Sequence, residues 1–103
     1  MNKSTTEKTH GGYAERVQPQ DAFFSREDRY SLGTDLETGR HYASLPVSNG
    51  VVDYEEYFEL SDIQFGEFLV NRDEALAFVD ACRRREHDEL LMVQPGANRG
   101  TAV

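Results

Sequence analysis

Cysteine is nearly missing: Cys82 is the single one in 103 residues. No disulfide can form within the chain, so nothing calls for an oxidising compartment. Basic residues are also scarce. Eleven Lys and Arg stand against nineteen Asp and Glu, for a formal net charge of −8. A face that grips phosphates needs clustered cations, so general nucleic-acid binding is excluded. Long apolar runs are lacking too. None approaches the roughly 20 residues that cross a bilayer as a helix, and residues 1–9 have no apolar centre of the kind a secretory signal carries. These shortages predict a cytoplasmic protein with no membrane segment. There is no phosphate-binding glycine loop, dinucleotide fingerprint, nucleophile elbow or zinc-ligand spacing. No cofactor and no metal are expected.

The length allows one domain. Its 38% hydrophobic content is low, and polar ends account for most of the deficit. Residues 1–18 read as a flexible polar tail, residues 19–96 as a single α+β domain and residues 97–103 as a polar C-terminal tail. Phe23 and Phe24 are expected to pin the start of the domain as a turn of helix or an edge segment.

Period-two alternation then predicts three strands. The first covers residues 29–36, with Tyr30, Leu32, Thr34 and Leu36 on one side. His41, Ala43, Leu45 and Val47 line the second; Val52, Tyr54, Phe58 and Leu60 line the third. Glu37, Thr38 and Gly39 mark one turn, and only an even loop count puts Leu32 and Leu45 on the same face. Asn49-Gly50 marks the other, because both residues tolerate the positive φ of a tight hairpin corner. The period changes at Ser61. With Gln64 it predicts a capping box, followed by a helix carrying Phe65, Phe68 and Leu69. Asn71 with Glu74 starts a second helix, whose Ala75, Phe78, Val79 and Cys82 share one face. Acidic Asp73 and Glu74 at its start and Arg83, Arg84 and Arg85 at its end suit the helix dipole. Residues 90–93 have the length of a late short strand. The predicted fold is an α+β two-layer sandwich: an antiparallel β-meander of three strands plus the late strand, covered on one face by two helices.

A two-residue Asn49-Gly50 corner opposes Leu45 to Tyr54, Ala43 to Glu56 and His41 to Phe58 on the core side. On the outer side it opposes Tyr42 to Tyr57 and Ser44 to Glu55, with Arg40 against Glu59. Glu56 breaks the pattern, since a carboxylate on an apolar face must be paired, solvated or protonated. One reading couples it to His41 as a general base with its orienter. The duller reading is a wet sheet rim or a bulge. Asp53, Glu55, Glu56, Glu59 and Asp62 make an acidic run, of which Asp53, Glu55 and Glu59 share one strand face but are spread too far along it to converge on a cation. His10, His41 and His87 are too scattered for zinc. Three consecutive helical arginines point about 100° apart, so they cannot converge on one ligand. Cys82 reads as a buried, inert thiol.

Two functions compete. The leading one is a small non-enzymatic interaction module, accessory, regulatory or inhibitor-like. It would act through the outer sheet face at Tyr42, Tyr57, Asp53, Glu55 and Glu59, with Arg83 and Arg84 as further contacts. Its partner would be a basic protein or a second copy of itself. The rival is a small-ligand binder or enzyme with a sheet–helix pocket near His41 and Glu56.

Overall fold

Apolar residues at every second position drive this chain into an antiparallel sheet, and two capped helices close one side of it. The computed structural model describes residues 16–103; most of the tail expected over residues 1–18, with His10, lies outside the described residues. Strands β1 (Pro19–Ser25), β2 (Tyr30–Asp35), β3 (His41–Ser48) and β4 (Asp53–Leu60) run as a meander in the order β1-β2-β3-β4. Helices α1 (Asp62–Val70) and α2 (Arg72–Arg83) follow, and a two-residue strand β5 (Thr101–Ala102) pairs with β3. The fold is α+β, with an antiparallel sheet and two helices. Among the described residues no helix is long and apolar enough to cross a membrane.

The core lies between sheet and helices. Leu32, Ala43, Leu45, Val47, Phe58 and Leu60 meet Phe68, Ala75, Val79 and Cys82 there. Ser61 caps α1, accepting from the Gln64 amide while the Gln64 side chain accepts from the Ser61 amide. Asn71 caps α2 through the Glu74 amide. The C-terminus of α2 closes differently. Arg85 takes a positive φ of 62°, its amide reaches the Cys82 carbonyl and the Glu86 amide reaches that of Ala81. That is a Schellman closure with arginine where glycine is usual.

Of the two forms expected for the segment with Phe23 and Phe24, it takes the edge one, as a full strand bulged between Asp21 and Phe23. Residues 90–93 do not form the late strand. A 3₁₀ turn over Asp88–Leu90 leads into Leu91, which makes one bridge to Phe58. The late strand is β5, inside the stretch read as a tail. Gly100 permits it, since a Cβ there would collide with the Ser48 backbone.

The β3–β4 corner also sits one residue later than expected. The Asn49 amide donates to the Val52 carbonyl at 3.2 Å, leaving Gly50, at φ 89°, and Val51 as the corner. Asn49 is worth more as an acceptor beside the corner: its Oδ1 receives the amides of both Val51 and Val52 at 2.9 Å. Leu45 therefore opposes Glu56, Ala43 opposes Phe58 and His41 opposes Leu60. Each partner moves by two positions, so inside and outside stay as expected. Val52 falls in the loop, 54% exposed. The β2–β3 connection has the even count that parity requires. The Asp35 amide meets the Arg40 carbonyl at 2.8 Å across a four-residue loop, and Leu36 is exposed in it.

Candidate functional site

On the helix side of the sheet, His41 and Glu56 do not meet. The His41 ring stacks on Phe65 with centroids 4.0 Å apart. Its Nδ1 lies 2.9 Å from the Thr34 hydroxyl, and its Nε2 lies 3.3 Å from Asp62 Oδ1. Glu56 is 7% exposed and belongs to Arg99. The guanidinium donates Nε to Glu56 Oε2 at 2.8 Å and Nη2 to Oε1 at 3.0 Å. Its remaining fork reaches Asp88 at 2.8 and 3.0 Å. Hydrogen bonding from Arg99 holds the Asp88 carboxyl below the usual carboxylate range, and both carboxylates push the arginine further up. This is a structural clip. It fixes the chain just ahead of β5, where the Gly100 amide donates to the Tyr54 hydroxyl at 2.7 Å.

The arginine triplet is likewise divided. Arg83 pairs with Asp80 and donates to the carbonyls of Asp28 and Arg29 at 2.7 and 2.9 Å. Arg84 pairs with Glu86, and Arg85 donates to the Gly100 carbonyl at 2.9 Å. Arg72 holds Asp28 with two bonds of 2.8 and 2.9 Å. Arg72 and Arg83 thus tie α2 to the β1–β2 turn. His87 stacks on Phe78. Burial pushes the Cys82 thiol up to about 12, so it carries no thiolate at neutral pH. Among the described residues, no three His, Cys, Asp or Glu side chains are grouped to hold a metal ion.

The other side of the sheet holds the more open arrangement. Ser31 and Gly33 of β2, Tyr42, Ser44 and Pro46 of β3, and Glu55, Tyr57 and Glu59 of β4 alternate away from the core. Among the described residues no helix covers them. Tyr42, expected as a contact residue, is fully buried on this side. Its ring occupies the space left by Gly33, where a Cβ would strike the phenol and the Gln20 carbonyl. Its hydroxyl donates to Asp21 at 2.5 Å, and its ring meets Tyr57 edge-on at 5.0 Å. Tyr42 is therefore floor, not contact surface. Tyr57 and Glu59 remain half-exposed, and Asp53 and Glu55 exposed. Arg40 closes one end with its 2.9 Å bond to Glu59.

The electrostatics of this floor lean one way. Burial raises the Glu55 carboxyl; the Ser44 hydroxyl works against that, and the Asp21 charge adds to it. Burial raises Tyr57, helped by the charges of Glu55 and Asp21. Tyr42 rises through burial first, then through its hydrogen bond to Asp21. Among the described residues, no basic side chain counts among the groups acting on these three. Asp21 was not foreseen as part of the site, because it belongs to a strand that sequence left undefined.

No protein-family model, curated protein or solved structure matches this chain.

Proposed function

We propose that this protein is a non-enzymatic contact module that takes a basic segment of a partner protein on its outer sheet face. Asp21, Asp53, Glu55 and Tyr57 form the contact, and Glu59 flanks it. One observation carries the reading: Asp21, Asp53, Glu55 and Glu59 share this face with Tyr57, and burial together with the Asp21 charge raises the Glu55 carboxyl. An incoming Lys or Arg supplies the missing charge, and the Tyr57 ring offers it an aromatic edge or face. A second copy of this chain is a poorer occupant. It brings the same acidic face and a net charge of −8, and Arg83 is already engaged within the fold. The lone buried thiol suits a cytoplasmic site of action.

The test is a ¹⁵N NMR titration with a short arginine-rich peptide and a glutamate-rich control. The expected outcome is salt-sensitive binding, with shifts concentrated at Asp21, Asp53, Glu55 and Tyr57. Equal shifts at Glu67, Asp73 and Glu74 on the helices would mean diffuse attraction to an acidic protein and would end this reading.

A further inference from the structure

At one end of the outer face, beside the β1–β2 turn, lies a cavity of about 310 Å³. That is at the lower end for small-ligand pockets, which span roughly 300–1,000 Å³. Phe24, Tyr30, Pro46 and Val103 give it apolar walls. Its charged lining is of both signs, with Arg26 and Arg29 from the turn and Glu55 from β4.

These charges face the same space without meeting. Neither Arg26 nor Arg29 makes a side-chain hydrogen bond or ion pair with any described residue, and Glu55 makes an ion pair with neither. Ser31 lies in the floor at 6% exposure, and its hydroxyl has no hydrogen-bond partner among the described residues. Buried polar groups are nearly always satisfied, so an orphan hydroxyl aimed into a cavity points to something that fills it. The turn is also held in place from behind, by Arg72 on the Asp28 carboxylate and Arg83 on the Asp28 and Arg29 carbonyls. Arg26 and Arg29 are thus presented on a fixed support, as ligand-binding groups need to be.

We infer that this cavity binds a small zwitterion with an apolar body, of the α-amino-acid class. Its carboxylate meets the Arg26 and Arg29 guanidiniums, its ammonium meets Glu55, and its side chain packs on Phe24, Pro46 and Val103. The Ser31 hydroxyl donates to the carboxylate. A ligand with one charge satisfies only one end of the cavity and leaves the other uncompensated. This site goes beyond the protein-contact reading and shares Glu55 with it; the two are told apart because peptide binding is read at Asp53 and Tyr57 and ligand binding at Phe24 and Tyr30.

The test titrates the full chain with phenylalanine, leucine and methionine by ¹⁵N NMR. Each is compared with its decarboxylated amine and its deaminated acid; for phenylalanine these are phenethylamine and 3-phenylpropionate. At least one amino acid should bind saturably with Kd below about 1 mM, given its few heavy atoms. Shifts should centre on Phe24, Tyr30, Ser31 and Glu55. Both single-charge analogues should bind about tenfold more weakly or worse, since each forfeits a charged hydrogen bond. Arg26→Gln should weaken the amino acid and spare the amine, and Glu55→Gln should weaken the amino acid and spare the acid. Failure of all three amino acids to bind, an analogue that matches its parent, or shifts centred elsewhere would overturn the inference.

Discussion

Removing the Arg99 guanidinium would leave the Glu56 carboxylate inside the core-facing side of the sheet with no partner. Breaking a buried pair from one side costs far more than the pair is worth, because the remaining charge stays desolvated. Arg99→Met is expected to lower stability by about 3 kcal/mol at neutral pH, measured by urea unfolding. Adding Glu56→Leu should recover most of the loss. An Arg99→Met variant as stable as the parent would show that β5 is held by its backbone alone. The anomaly at Glu56 is legible in the sequence, since alternation puts a carboxylate where an apolar side chain belongs. Its partner is not legible. Arg99 stands 43 positions away, in a stretch whose composition resembles a tail, and composition says nothing about one residue that serves two carboxylates. His41 is the nearer candidate by register, but its ring finds Phe65 and its nitrogens find Thr34 and Asp62.

Among the elements, β2 has little tolerance for change at Gly33. Gly33 is buried with the Gln20 carbonyl of β1 and the Tyr42 phenol where its Cβ would stand. The phenol can swing away, but the carbonyl cannot move without disturbing the β1–β2 ladder. Gly33→Ala is therefore expected to cost about 2 kcal/mol in thermal or urea unfolding. Its near-UV circular dichroism should change as Tyr42 leaves Asp21. An unaltered melting curve would mean that the edge strand yields freely. Elements differ in how much of themselves they disclose. Both helix starts are readable because Ser61 and Asn71 act within three residues. The faces of β3 and β4 are readable because alternation is local. Their partners are not, because a corner shifted by one residue moves every pair by two and preserves every face. Strand β5 is two residues long, too short for any period to show, and it depends on the close approach that Gly100 allows.

For the whole molecule, the outer face sets stability against contact. A carboxyl whose folded pKa lies above its unfolded value prefers its proton in the folded state. Ionising Glu55 therefore costs stability. The cost is missing below the ordinary glutamate range, sets in as pH rises through the unfolded value, and is complete above the raised one. Glu55→Gln should accordingly be more stable than the parent at neutral pH, and the gain should vanish in acid. The effect should be small, an increase in Tm of about 2 °C, because the carboxyl still meets water. The Ser44 hydroxyl keeps an acceptor in the amide oxygen, so geometry is conserved. The same substitution should weaken the arginine-rich peptide, and parent binding should begin to fail at a higher pH than an ordinary glutamate would give. A merely solvated face has no reason to retain a charge that destabilises it, whereas a face kept for a cationic partner does. Should Glu55→Gln instead lower Tm at neutral pH, the Ser44 hydrogen bond outweighs the burial of the charge. Glu55 would then be a structural residue of the sheet, and the electrostatic case for a basic partner would fall with it.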